Sequence, residues 1–96
     1  MIDELAANET CEDLKIMWEG GEETVLPASY LRKQARDAWS IRERIDHGDI
    51  HVMPGIQITG IYQVGAAGVN LHFSDGHERA IYPFDYLREL SESFDN

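Results

Sequence analysis

Two short stretches of this chain are nearly the same, and their spacing constrains the fold more than any other feature. Leu-Pro-Ala-Ser-Tyr-Leu-Arg at residues 26–32 returns as Tyr-Pro-Phe-Asp-Tyr-Leu-Arg at residues 82–88, a separation of 56. Upstream, the apolar residues match at a separation of 55, setting Leu14 on Val69, Ile16 on Leu71 and Trp18 on Phe73. The one-residue slip falls between Glu19-Gly20-Gly21 and Ser74-Asp75-Gly76-His77, which both read as turns. A slip inside a strand would send every side chain to the wrong face, so a turn is where an extra residue costs least. The repeated unit reads strand, turn, strand, proline, short helix. Two copies are too few for an open solenoid, so one shared core is expected.

The remaining pattern fills in around the repeat. Leu14, Ile16 and Trp18 alternate with Lys15 and Met17, Gly20-Gly21 allows a turn, and residues 23–26 return as the partner strand. Beyond Pro27, Leu31, Ala35, Ala38, Trp39, Arg42 and Ile45 recur at three- and four-residue spacing, predicting one helix that His47-Gly48-Asp49 stops. Ile56, Ile58, Gly60, Tyr62 and Val64 share a parity and predict a strand linking the two copies. Val69, Leu71 and Phe73 form the next strand, Asp75-Gly76 is the strongest hairpin turn, residues 79–82 return, and Tyr86, Leu87 and Leu90 mark a short terminal helix. The expected class is α+β: two strand-turn-strand-helix units around a central strand, mainly antiparallel, with short helices on one side. Residues 14–90 are expected to be the single domain, with the repeat at 14–32 and 69–88. Residues 1–13, with five carboxylates and no basic residue, read as an acidic arm, frayed or in a short marginal helix, and residues 91–96 as a tail.

Size and charge exclude several functions. A chain of 96 residues supports one core, with a folded surface of about 5,600 Å² by the usual scaling. Eighteen acidic residues against eight basic ones give a net charge of −10, which repels phosphate backbones and anionic membranes. Nucleic acid and membrane are therefore not expected partners. The lone Cys11 allows no internal disulfide and is read as incidental, and with no charged-then-apolar leader at Met1 the cytoplasm is the expected compartment. The glycine pairs lack the lysine, spacing and following helix of a phosphate-binding loop.

Asp75-Gly76-His77-Glu78 is the densest polar chemistry in the chain. Carboxylates beside an imidazole can exchange protons or bind a metal, but four consecutive residues also make a tight turn, with His77 capping the returning strand or packing on the helix after Pro83. The structural reading is preferred. His72 falls opposite Leu71 and Phe73, and His47 and His51 flank Asp49 without the paired spacing of a zinc motif. No catalytic, cofactor or metal residue is assigned. Arg32, Lys33, Arg36, Arg42 and Arg44 place five of eight basic residues in thirteen positions, either as a basic ridge for an acidic partner or as ordinary solvated charge. Trp39 either completes the apolar stripe of its helix or stays exposed as a contact anchor. The candidate functional patch is Asp75, His77, Glu78, Trp39, Arg32 and Arg36.

The second unit carries a resemblance. Phe73-Ser-Asp-Gly-His77 followed by Tyr82-Pro-Phe-Asp-Tyr86-Leu-Arg resembles the domain found at the N-terminus of gamma-butyrobetaine hydroxylase. That domain also occurs as small stand-alone bacterial proteins of unknown function and fused to Mrp-type ATPases of iron–sulfur assembly. The similarity runs from about Leu14 to Leu90. The resemblance implies an accessory module, because iron, 2-oxoglutarate and substrate belong chiefly to a separate catalytic domain of the hydroxylase. It also implies a zinc site of three cysteines after the first Leu-Arg and one histidine near the second unit. Here the cysteine places fall approximately on Ala35, Asp37 and Ser40, and His77 alone remains, so a zinc-free core and no cofactor are expected.

The leading functional expectation is a non-enzymatic accessory or protein-interaction domain with an unidentified protein partner, linked to iron–sulfur or redox metabolism through the family's company. The alternatives are a small enzyme or metal-binding protein using His77 and Asp75, and a structural homodimer paired through an uncovered strand or the Trp39 helix.

Overall fold

The computed structural model describes residues 2–95 and runs β1 (Ile2–Ala7), β2 (Asp13–Trp18), β3 (Glu23–Pro27), α1 (Ala28–Lys33), α2 (Ala38–His47), β4 (Ile58–Val64), β5 (Gly68–Phe73), β6 (Ala80–Pro83) and α3 (Phe84–Asp95). Two antiparallel three-stranded sheets form, in the orders β1-β2-β3 and β4-β5-β6. The fold is therefore α+β with two antiparallel units and short flanking helices, as expected. The linking strand has a more definite place than its sequence showed: β4 is the first strand of the second sheet, paired with β5. Its counterpart is β1, paired with β2, so residues 2–7 are a strand rather than a frayed arm or a marginal helix. The complete unit is three strands and a helix, and it occupies both halves of the chain.

A bulge explains why β1 and the face of β4 were hard to read. In β1 the pairing jumps between Ile2 and Glu4, and in β4 it jumps at the equivalent place, between Ile58 and Gly60. One extra residue resets the alternation, so residues three apart point the same way. Ile2 and Leu5 both turn to the core, as do Ile58 and Ile61, whereas an unbroken strand would have sent one of each pair outward. Past the bulge the expected inward row is reversed. Tyr62 and Val64 are exposed, and Ile61 packs on the core instead.

The helix expected from residue 28 to Ile45 is two helices. Its break is held by side chains that take carbonyls at the end of α1 and just past it: Tyr82 Oη donates to Leu31 O, Arg44 Nη2 to Lys33 O at 2.7 Å and to Ala35 O, and Tyr86 Oη to Gln34 O at 2.6 Å. Asp37 then restarts the helix as its N-cap, accepting from the Ser40 backbone N–H at 3.2 Å. No glycine or proline is needed for such a break, because a new cap and competing donors are enough. In the second unit nothing interrupts the helix, so α3 continues from Phe84 through Asp95 and takes in residues 91–95, which were expected in the tail. Asn96 lies outside the described residues. Among the described residues no helix is long and apolar enough to cross a membrane.

The two units share one core. Leu14, Ile16, Leu26 and Leu31 from the first and Val69, Leu71, Tyr82 and Leu87 from the second are at most 1% exposed and belong to a single cluster. The accessible surface, 5808 Å², is close to that expected of one closed domain of this mass. Polar contacts between the units exchange when the units are exchanged. Tyr86 Oη donates to Gln34 O, and its counterpart Tyr30 Oη donates to Leu90 O at 3.5 Å, with each tyrosine and each carbonyl 56 residues from its equivalent. Arg32 of α1 reaches Asp75 in the turn of the second hairpin, and Arg88 of α3 reaches Glu22 in the turn of the first.

Candidate functional site

The two arginine clasps differ in one respect that creates a site. Arg88 and Glu22 are 2.8 Å apart but remain 40% and 56% exposed. Arg32 and Asp75 are 3.0 Å apart, and there the segment carrying α2 lies over the arginine, leaving its side chain 5% exposed. The insertion between the units thus buries one clasp and leaves the other in solvent.

Around the buried clasp the polar groups close a ring. Arg32 Nε donates to Asp75 Oδ2 at 3.0 Å, and Asp75 Oδ1 accepts the His77 backbone N–H at 2.9 Å. The His77 ring turns back across the chain to put Nε2 2.9 Å from Asp37 Oδ1. Ser40 Oγ donates to the same Asp37 oxygen at 2.7 Å and accepts from Arg32 Nη1 at 3.1 Å. Asp37 only accepts when ionised, so His77 Nε2 carries the proton in this contact. His77 thus acts at both ends of the turn: its carbonyl accepts the Phe73 N–H at 2.9 Å, and its ring ties the turn to the start of α2. The turn that aims it requires Gly76 at φ +89°, where a side chain is strained. Among the described residues every buried side-chain nitrogen and oxygen has a partner.

Burial pushes the Asp37 carboxyl upward, but the Ser40 hydroxyl, the His77 ring and the Ser40 backbone N–H together hold it below the usual aspartate range. A carboxyl lowered on folding contributes stability above its unfolded pKa of about 3.9 and loses it as pH falls through the lower folded value. Asp37→Asn is expected to flatten the acid limb of a urea-midpoint profile below about pH 4 relative to the unmodified protein. An identical acid limb in both proteins would show that Asp37 does not couple to folding.

The candidate residues divide. Arg32, Trp39, Asp75, His77 and Glu78 line one open concavity of about 550 Å³, together with Gly76 and Arg79. Arg36 stands apart, with its guanidinium 3.6 Å above the Tyr86 ring. The five clustered basic residues do not make a ridge: Arg32 and Arg44 are turned inward to protein acceptors, Lys33 pairs with Asp49 at 3.3 Å, and Arg42 pairs with Asp46. Trp39 does not complete an apolar stripe, because the stripe ends with α1; it is 67% exposed on a helix whose one buried residue is Ser40. Elsewhere, His72 Nδ1 lies 3.4 Å from Glu78 Oε2 and its ring packs on Tyr62, while Asp49 serves Lys33 and the Ile50 backbone rather than His47 or His51. Arg79 was not singled out in the sequence. Asp37 and Ser40 entered only as places of lost cysteines, although Asp-x-x-Ser ahead of an apolar run is a helix-start signal.

The fold is α+β, built of two antiparallel three-stranded units with helices, and the buried polar groups of its cluster are bonded to one another. The chain belongs to the gamma-butyrobetaine hydroxylase-like N-terminal domain family, whose pattern matches residues 5–88. It is similar to the crystal structure of a protein of unknown function from Acidithiobacillus ferrooxidans, with TM-score 0.74 and 24% identity over 94% of this chain and 91% of that one. Two proteins solved in solution by NMR share the fold at TM-scores of 0.77 and 0.72, with 25% and 22% identity. These alignments cover 97% and 99% of this chain and 70% and 75% of the others. No curated protein matches this chain.

The zinc implied by the resemblance to the hydroxylase does not fit these residues. The approximate ligand places hold the methyl group of Ala35, the carboxylate of Asp37, the buried hydroxyl of Ser40 and the imidazole of His77, and the last three are bonded in a chain through Asp37 Oδ1. Zinc binding would require those hydrogen bonds to open and would still find too few nitrogen and sulfur donors for a closed tetrahedral shell. Among the described residues no three His, Cys, Asp or Glu side chains are grouped to hold a metal ion.

Proposed function

We propose that this chain is a non-enzymatic protein-interaction module that docks a partner through the concavity beside α2. The observation that carries the proposal is the exposure of Trp39, 67%, at the rim of a cluster whose buried polar groups are already bonded to one another. Such a cluster holds its Asp37 carboxylate, Ser40 hydroxyl and His77 Nε2 against one another and so positions a surface, and an exposed indole is a frequent anchor of protein contacts. We place the module in the cytoplasm and would seek its partner first in iron–sulfur and redox metabolism, where relatives of this family keep company.

The test is quantitative capture from the native organism's lysate by the unmodified protein and by Trp39→Ala, whose exposed side chain can be removed without opening the core. A partner recovered at least about tenfold better by the unmodified protein is the expected result. Equal recovery by both would sink the proposal, and recovery of a second copy of this chain would turn it toward the homodimer.

A further inference from the structure

We infer that the concavity between α2 and the β5–β6 turn recognises a partner segment that presents a carboxylate next to an apolar side chain, with Arg79 taking the carboxylate and Trp39 the apolar group. The inference rests on the interaction reading above and adds the chemistry of what is bound.

Two independent anomalies meet in this one place. The first is Arg79. Arg32, Arg42 and Arg88 each pair with a carboxylate, Arg44 donates to backbone carbonyls and Arg36 lies on an aromatic ring. Among the described residues Arg79 is the one arginine without such a partner, in a chain with eighteen acidic residues. A guanidinium is a rigid fork of donors matched to a carboxylate, so an unengaged one at a concave surface is a ready acceptor site for that group. The second anomaly is Trp39, whose indole is left in solvent although it borders the same concavity.

The other charges there leave Arg79 as the free one. Asp75 is in an ion pair with Arg32, and Asp37 is hydrogen-bonded by the Ser40 hydroxyl and the His77 ring. Glu78 lies against His72 at 3.4 Å. A carboxylate entering beside Arg79 therefore meets a guanidinium with no ion-pair partner of its own, and the buried acids nearby are already hydrogen-bonded. The overall charge of −10 supplies a second filter, because it repels partners that are acidic throughout. The recognised carboxylate is accordingly expected on a short segment of a protein that is neutral or basic as a whole.

The experiment is selection from a random-peptide display library on the unmodified protein and on Arg79→Gln, followed by titration of the enriched peptides. Arg79 is exposed and makes no side-chain hydrogen bond or ion pair among the described residues, so Arg79→Gln is expected to leave the domain folded. Expected is a consensus with Asp or Glu adjacent to a Leu, Met or aromatic residue, and a loss of at least about tenfold in affinity both for Arg79→Gln and for the Asn or Gln version of the peptide. Binding should weaken with added salt and move the Trp39 indole resonance. Peptides enriched without an acidic residue, equal binding to Arg79→Gln, or no enrichment at all would overturn the inference. The interaction reading fails separately, through lysate capture that ignores Trp39.

Discussion

Replacing Arg32 by Ala is expected to lower the unfolding free energy by about 3 kcal/mol, whereas Arg88→Ala, its counterpart in the repeat, should move the urea midpoint only slightly. The two arginines occupy equivalent helix positions and each clasps the other unit's turn, and they differ most in burial, Arg88 staying exposed although it also lies over Trp18 and near Glu92. Truncating one member of a buried charged pair leaves the other poorly solvated, at a cost of about 3–5 kcal/mol, and Asp75 keeps enough exposure to place this case at the lower end. Ser40 Oγ loses a donor in the same variant. An exposed pair such as Arg88–Glu22 is screened by water and salt. Adding Asp75→Ala to Arg32→Ala should cost less than the sum of the single changes, because the stranded carboxylate is removed. Equal losses for Arg32→Ala and Arg88→Ala in equilibrium unfolding would show that the overlying segment does not desolvate the first clasp.

Deleting Thr59 is the second large effect. Thr59 is exposed, and substituting it by Ala should change stability by no more than about 0.5 kcal/mol. Deletion is different because it removes the extra residue of the bulge and restores strict alternation. Ile58, 3% exposed, and Ile61 then cannot both face the core, and one of them must turn to water. Losing the burial of one isoleucine and leaving its space behind costs about 3 kcal/mol or more. Equilibrium unfolding of the deletion beside Thr59→Ala checks this, and a deletion as mild as the substitution would remove the bulge from the account of the fold.

Much of the architecture was legible because it was written twice. The separation of 56 between the Tyr-Leu-Arg motifs, with a slip confined to the hairpin turns, located β2, β3, β5, β6 and the helices that follow them. The bulged strands were not legible by alternation, since a bulge removes the parity on which that reading depends. Their signal was Ile2-x-x-Leu5 against Ile58-x-x-Ile61, a pair of matches at 56 that extends the repeat by a strand. The break at residues 34–37 is held in part by Tyr82 and Tyr86, about fifty residues away and outside any local window, and its one local signal was Asp37 as the N-cap of a new helix. For the site, composition and turn chemistry singled out Asp75, His77, Glu78, Trp39 and Arg32, and folding brings those five to one concavity. Arg36 drops out because an aromatic ring occupies it, and Arg79 enters because the absence of a partner becomes visible only once every other arginine has one.

The exchanged tyrosine contacts have a consequence for assembly. Each half of the chain supplies the carbonyl that the other half's tyrosine needs, and each supplies the turn that the other half's arginine holds. Contacts of this kind ask only that a first half meet a second half, and nothing in them requires both to belong to the same molecule. Should the stretch between α2 and β4 straighten, two chains could trade halves and rebuild every one of these bonds, the linker's own preference and the protein concentration together setting the balance between the closed monomer and the swapped pair.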